Sequence, residues 1–288
     1  MKTDLHVHSR TGSDGAWSLE DIFREAADRG IGLISITDHD AIRHQGQAIR
    51  LAREAGIRYL TGVELNVTFP HEGRDISLDF LAYGFDWQDP ALDAKLEEVR
   101  AHRAARAKKI VDNLNREFTK QGLPLFTDAD LAAMQAGVDG ILSRPHIADY
   151  LVKKGVVGAR QQAFDRYLVV CDVPKFPLSL PDASRLVRGA GGRLVLAHPN
   201  DPNGTSLVKL GSLEAQTALV EREMLDYIDG IECWHSRADA ATTAHYLAFC
   251  RERGLLVTGG SDCHQKPFML GDVPGPDEVA AQFEGLLT

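Results

Sequence analysis

Residues 4–15, DLHVHSRTGSDG, place His6 and His8 one residue apart and return a carboxylate, Asp14, six residues later in a Gly/Ser turn. In a strand, side chains at i and i+2 point to the same side. If 4–8 is a strand, both imidazoles project together, with Asp14 coming back from the loop that follows. That makes a metal corner of three residues, and the rest of the chain must supply the remaining ligands. The reading also sets the fold, because the strand opens an alternation that continues outward from it.

SLEDIFREAADRG (18–30) reads as a helix with Ser18 as N-cap and Asp21 in the reciprocal position of an imperfect capping box. Leu19, Ile22, Phe23 and Ala26 have helical spacing, and Gly30 ends the segment. IGLISITDHD (31–40) is an apolar run that predicts a buried strand ending at His39, followed by a helix over about 40–55 that stops at Gly56. IRYLTGVELNV (57–67) and ISLDFLAYGF (76–85) predict two more strands. Further on, DASRLVRGAGG, LEAQTALVEREML and DAATTAHYLAFCRERG predict helices, interleaved with strands RLVLAHP, GIECWHS and LLVTGGSDCH. Strands alternating with helices imply parallel pairing, in an α/β barrel or a doubly wound sheet. Residues 100–175 carry only helical patterns. They predict a helical insertion, capping an active site or merely decorating the periphery, between barrel halves 1–99 and 176–288.

The composition is that of an ordinary globular chain: 288 residues, 44% hydrophobic and 25% charged. A formal charge of −9 argues against binding long polyanions. No apolar run approaches the ~20 residues that span a bilayer, and Met1 leads straight into the first strand, so no signal peptide is expected. Cys171, Cys233, Cys250 and Cys263 are scattered without a C-x-x-C pair, which predicts reduced thiols and a cytoplasmic location.

The polar exceptions within these apolar strands fall where strands are expected to end: His6 and His8, His39, Glu64, His198, Glu232, and Asp262 with His264. In a parallel barrel those ends converge on one mouth. Imidazoles with carboxylates suit zinc, iron or manganese. Trp234 and His235 either line this mouth or belong to an ordinary loop. His44, His102 and His245 sit in helical patterns and are expected at the surface, and RAARAKK (103–109) reads as a solvated helix face.

HVHSRTGSDG, ITDHD, GVE, AHP and GSDCH, in this order over residues 4–264, resemble the PHP (polymerase and histidinol phosphatase) family. Within it the chain is most similar to stand-alone phosphoesterases acting on nucleotide-like phosphates, whose Ser-Arg-x-His pattern SRPHIADYLV matches. The resemblance implies a distorted (β/α)7 barrel holding two or three divalent ions (Mn, Fe or Zn). His6, His8, Glu64 and Asp262 would hold one ion, and Glu64 would bridge to a second that His198 also binds. Asp14, His39 and His264 would hold a third. Asp79, in LDFLAYGFD, stands where relatives have histidine and is kept as a ligand candidate. Arg144 is the expected phosphate clamp, since a guanidinium fork matches phosphate geometry. His146 would contact the substrate or protonate the leaving group, while Lys175, Arg10 and Lys266 are further substrate-binding candidates. Glu232 would stand behind a ligand.

The implied reaction is hydrolysis of a small phosphorylated metabolite by a metal-bridging hydroxide, with ions about 3.5–4 Å apart neutralising phosphoryl charge and acidifying water. The substrate would be a nucleoside phosphate, a 3′,5′-bisphosphate or a five-membered cyclic phosphate. Nucleic acid is not expected except as a short or mononucleotide substrate. The alternatives are a histidinol-phosphate phosphatase, a protein tyrosine phosphatase and a non-catalytic metal-binding module.

Overall fold

The computed structural model describes residues 1–288 except 137, 139–141, 204, 265–268, 274 and 276. Lys266 therefore lies outside the described residues. The strands are β1 (Lys2–Val7), β2 (Ile31–Ile36), β3 (Arg58–Tyr59), β4 (Gly62–His71), β5 (Arg74–Tyr83), β6 (Arg193–Leu196), β7 (Gly230–His235) and β8 (Leu256–Gly260). The helices are α1 (Leu19–Asp28), α2 (Gln45–Glu54), α3 (Pro90–Gln121), α4 (Asp128–Ala136), α5 (Arg144–Lys153), α6 (Arg160–Ala163), α7 (Leu180–Gly189), α8 (Leu213–Glu223), α9 (Ala240–Arg253) and α10 (Asp277–Ala281). None of these helices is long and apolar enough to cross a membrane.

Two compact units divide the chain: Met1–Lys95 with Pro177–Thr288, and Leu96–Phe176. The first is α/β, with a three-stranded sheet β1-β2-β3 and a five-stranded sheet β4-β5-β6-β7-β8. β2 shows how the strands serve two layers. Ile34 and Ile36 pack with Val7 of β1 and with Leu19, Ile22 and Phe23 of α1, while Leu33 joins Leu5, Leu81 and Val195. Each such fully buried side chain contributes roughly 1.5–3 kcal/mol. Ser18 caps α1, accepting the Asp21 N–H at 3.2 Å. The second unit has its own core, in which Phe118 meets Phe126 and Tyr167 edge-on at centroid distances of 5.3 and 5.4 Å.

Backbone hydrogen bonds link the two sheets of the first unit. The His8 N–H donates to the Cys263 carbonyl at 3.1 Å and the Asp262 N–H to the His6 carbonyl at 2.8 Å. Elsewhere the Asp40 N–H donates to the Glu64 carbonyl at 2.9 Å and the Glu64 N–H to the Thr37 carbonyl at 3.1 Å. The ends of β1, β2 and β8 are thereby brought to the start of β4.

Pairing differs from the all-parallel expectation at one strand. β5 runs antiparallel to both β4 and β6. Only Glu72 and Gly73 separate β4 from β5, and both have positive φ, 49° and 73°. A two-residue turn of that kind makes a hairpin, and no crossover helix is present to turn the chain around. The run 57–67 is also two strands rather than one: it breaks after Tyr59, and β4 begins in the other sheet. Glu64 consequently sits near the beginning of β4, not at a strand's C-terminal end.

Candidate metal centre

β1 turns His6 and His8 to the same side, with Nε2 atoms 3.1 Å apart. Glu64 Oε2 stands 3.4 Å from the first and 3.2 Å from the second. Asp262 Oδ1, just past β8, lies 3.4 Å from each. Ligands about 2.0–2.1 Å from a tetrahedrally coordinated ion stand about 3.3–3.4 Å from one another. These five distances match that spacing, which makes the four donors, from three chain segments, candidates for a shared small cation.

Two further groupings extend from this cage. Glu64 Oε1 lies 3.1 Å from His198 Nε2, and Asp79 Oδ2 stands further out at 4.0 Å from the same nitrogen. Asp79 is directly opposite Asn66 in the β4–β5 pairing, and Asn66 Nδ2 donates to its other oxygen, Oδ1. On the far side, Asp14 Oδ1 lies 3.3 Å from His264 Nε2 and 3.8 Å from His39 Nε2, while His39 Nδ1 reaches Glu64 Oε2 at 3.0 Å. His8, Asp14, His39 and His264 form one set of potential ligands, and His6, Glu64 and His198 form a second. The nine residues expected as ligands thus form one connected cluster.

The supporting shell is built of buried carboxylates. Glu232 Oε1 meets His6 Nδ1 at 3.0 Å, and its Oε2 accepts the His198 backbone N–H at 2.8 Å. A carboxylate on Nδ1 keeps the proton there and leaves the Nε2 lone pair for a cation. His8 Nδ1 reaches Ser13 Oγ at 3.3 Å, and Ser13 Oγ donates to Asp38 Oδ1 at 2.6 Å. Asp38 also accepts the Ser9 N–H and the Ser9 hydroxyl, so one buried carboxylate fixes the loop that leads to Asp14. Asp4 does the same behind β8, taking the N–H and hydroxyl of Ser261 at 2.9 and 2.7 Å. Strain collects here too. Of the four non-glycine residues with positive φ among the described residues, Asp40 (51°), His198 (25°) and Asp262 (52°) belong to this region. Such conformations cost about 1–3 kcal/mol each and persist only where surrounding contacts enforce them.

Electrostatics match a site made for positive charge. Burial acts to raise the carboxyls of Glu64, Asp262 and Asp14, but the surrounding imidazoles outweigh it and hold all three well below the usual carboxylate range. Burial likewise depresses the imidazoles. For His198 the hydrogen bond and charge of Glu64, with help from Asp79 and Asp262, overcome it and lift the ring to about 9. His6 and His264 are raised still more clearly, His6 by Glu232, Glu64 and Asp262, and His264 by Asp14 and Asp262. The same carboxylates that raise these rings would favour a divalent ion, whose binding displaces protons from its imidazole ligands.

Two side chains lie elsewhere than the sequence suggests. His44 is buried, with Nε2 2.9 Å from Asp38 Oδ2, not at the surface. Arg106, in the run expected to be a solvated face, pairs with Asp172 and donates to the Val173 carbonyl at 2.6 Å. Among the residues expected to meet substrate, Arg10 is exposed, and its backbone N–H donates to the Trp17 carbonyl at 2.8 Å. Arg144, His146 and Lys175 belong to the unit Leu96–Phe176. Arg144 Nη1 donates to Asp172 Oδ2 at 2.6 Å, and with Arg103, Arg106 and Ser143 it lines a small cleft. His146 Nδ1 accepts the Ser143 N–H at 3.1 Å and closes the capping box of α5. Lys175 is half-buried. His235 and Arg237 also reach the cluster, through Asp262 Oδ2 at 3.4 and 3.3 Å. His235 takes the first of the two positions that the sequence leaves open for it, beside the cluster, whereas Arg237 carries no periodic or motif signal that marks it in the sequence.

The family described as PHP domain matches residues 4–128. The chain is 32% identical over 273 residues to the 3′,5′-nucleoside bisphosphate phosphatase of Chromobacterium violaceum, covering 91% of this chain and 86% of that one. It is 36% identical over 201 residues to a 5′-3′ exoribonuclease of Haemophilus influenzae, covering 69% of each. A solved structure from Bifidobacterium adolescentis, of a protein taken to be a metal-dependent phosphoesterase, superposes with a TM-score of 0.81 at 30% identity and covers 99% of this chain and 96% of its own.

Proposed function

Because this chain belongs to the PHP family and is a metal-dependent phosphoesterase, we propose that it removes phosphate from a small phosphorylated metabolite, with a nucleoside 3′,5′-bisphosphate as the leading substrate. The observation that carries this is the cage of His6, His8, Glu64 and Asp262, with Glu64 offering its second oxygen to His198. One carboxylate spanning two donor sets suits neighbouring ions. His6, His8, Glu64 and Asp262 would hold one; Glu64, His198 and Asp79 a second; Asp14, His39 and His264 a third. Manganese, iron and zinc all suit this nitrogen and oxygen set.

When bound, such ions neutralise phosphoryl oxygens and lower the pKa of water toward 7. The chain's own groups do the rest. Glu232 holds the His6 ring in register, Asp38 and Ser13 hold His8, and burial keeps bulk water from the ligand carboxylates. No side-chain nucleophile is called for. Cys263, the thiol beside Asp262, is buried and pushed up to about 12, so it stays protonated at neutral pH.

Substrate roles for Arg144, His146, Lys175 and Arg10 rest on the sequence pattern. We also read the two sheets as the distorted barrel of the family, supported by the backbone bonds from His8 to Cys263 and from Asp40 to Glu64.

A second reading, stepwise cleavage of a short RNA, is favoured by the similarity to the Haemophilus influenzae protein, while the net charge of −9 disfavours a long polyanion. A phosphate-release screen with manganese, iron and zinc separates the readings. It compares nucleoside bisphosphates, mononucleotides, 5′-phosphorylated oligoribonucleotides, cyclic phosphates and histidinol phosphate. The bisphosphate is expected to give the highest kcat/KM. Metal-loaded protein that cleaves none of these esters would make the chain a non-catalytic module.

A further inference from the structure

Asp262 uses its two oxygens differently. Oδ1 faces His6 Nε2, His8 Nε2 and His264 Nδ1 at 3.3–3.4 Å. Oδ2 meets His235 Nε2 at 3.4 Å and Arg237 Nη1 at 3.3 Å. The backbone N–H of Arg237 donates to His235 Nδ1 at 3.2 Å. A neutral imidazole that accepts at Nδ1 carries its proton on Nε2. His235 therefore donates to Oδ2, even though its distances to His6 and Asp262 would also suit an ion.

Arg237 follows β7 by two residues, and Nη1 makes a second contact, to Asp201 Oδ2 at 2.8 Å. The Asp201 side chain is 1% exposed, and its backbone N–H bonds the His198 carbonyl at 3.1 Å. One guanidinium is thus anchored on a buried carboxylate and leans against a ligand carboxylate, while 28% of its side chain reaches solvent. The ligand carboxylates beside it, Glu64 and Asp262, are only 2% and 9% exposed. An arginine used only to tie the turn after β6 to the turn after β7 would work against the centre, because a fixed positive charge at Asp262 opposes cation binding by Coulomb's law. That cost is offset when the same charge meets an incoming dianion.

We propose that Arg237 binds the phosphoryl group of the substrate, with Asp201 holding the guanidinium in place. The proposal rests on the phosphoesterase reading above. A planar guanidinium carries five donors in a fork suited to phosphate oxygens, and this one stands beside the cluster with 28% of its side chain open to solvent. Pre-anchoring at Asp201 lowers the entropy lost when the side chain is immobilised against a ligand.

The test uses the metal-loaded full chain, inorganic phosphate as probe and p-nitrophenyl phosphate as reporter substrate. Phosphate affinity is read twice, as competitive inhibition and as the rise in melting temperature that phosphate produces. Arg237→Met is expected to weaken phosphate binding roughly ten- to hundredfold, as for loss of a charged hydrogen bond. Its metal content should be unchanged or higher; its melting temperature without phosphate should fall, because Asp201 loses its partner, so the phosphate effect is read as the rise above each variant's own baseline. Asp201→Asn should give a smaller loss of phosphate affinity with the same metal content. Arg237→Lys, which keeps the charge without the fork, should recover part of the affinity and makes the same comparison should Arg237→Met not fold. Unaltered phosphate affinity in the arginine variants overturns the proposal, whether or not melting temperature or metal content falls, because that is the behaviour of a loop tie. Wild-type protein that holds metal yet neither binds phosphate nor cleaves an ester overturns the phosphoesterase reading itself, and this proposal with it.

Discussion

Glu232 Oε1 stands 3.0 Å from His6 Nδ1, and both side chains are fully buried. This contact decides which nitrogen of His6 enters the cage. Replacing Glu232 by alanine removes the acceptor that fixes the ring and its tautomer, and losing the hydrogen-bond partner behind a ligand histidine typically costs about 10–100-fold in metal affinity. Competition with a chelator of known affinity measures it. Wild-type affinity in Glu232→Ala would show that the ring is held by packing alone.

Glu64 and His198 should separate in metal stoichiometry. Glu64 Oε2 belongs to the cage and Oε1 to His198, whereas His198 belongs to one set of potential ligands, with Glu64 and His6, and has Asp79 at 4.0 Å. Glu64→Gln is expected to lose more than one ion per chain, and His198→Ala to lose one. Elemental analysis after loading with manganese distinguishes them. Equal losses would mean that Glu64 does not bridge.

Metal-free protein should lose stability as pH rises. His198 is lifted to about 9 from an ordinary value near 6.5. A group raised on folding contributes stability that is fully present below its unfolded pKa and disappears as pH passes through the folded one. Chelator-treated protein is therefore expected to melt at progressively lower temperature between about pH 6.5 and 9. Metal binding in that window should release protons and tighten with pH. Melting curves across pH, and proton release on adding manganese in weak buffer, test the two halves.

The residues of the cluster were legible because imidazoles and carboxylates in and beside apolar strands are costly to bury, so each stands out against Leu, Ile and Val. The alternation of strand and helix gave the α/β class for a similar reason, since each period repeats in the hydrophobic pattern. The β4–β5 hairpin was not legible. Its turn is Glu72-Gly73, which lacks the Asn-Gly or Asp-Gly signature. His44 reads as a solvated helix residue, yet Asp38 draws it inward, and that pairing joins residues at the end of β2 and the start of α2. His235 and Arg237 act through Asp262, 27 and 25 residues away. Such contacts exist only in three dimensions. The same holds for His146, whose Ser143 partner makes it a helix cap as well as part of a motif.

Arg144→Ala should leave metal content untouched. Its nearest partner is Asp172, within the unit Leu96–Phe176, and that carboxylate also serves Arg106. If the sequence pattern assigns Arg144 correctly, the variant weakens inorganic phosphate inhibition by roughly tenfold or more. Unchanged inhibition would leave Arg144 as a structural partner of Asp172 and remove it from the substrate contacts.

Gly260 ends β8 against His6, and this close approach makes the position intolerant. A Cβ there would stand 2.4 Å from both the Cβ and the backbone nitrogen of His6. Neither atom is the tip of a flexible side chain, so strand β1 itself must move. The next residues, Ser261 and Asp262, are pinned by Asp4 and by the His6 carbonyl, which leaves β8 little freedom to retreat instead. Overpacking of this kind costs about 1–3 kcal/mol. Displacement of β1 also carries the His6 Nε2 out of a cage whose edges are 3.1–3.4 Å. Gly260→Ala is therefore expected to lower both the melting temperature and the metal content. Gly189→Ala, in α7 with nothing within 4 Å of the added methyl, should lower neither. Full metal occupancy in Gly260→Ala would mean that His6 can shift with β1 and still coordinate.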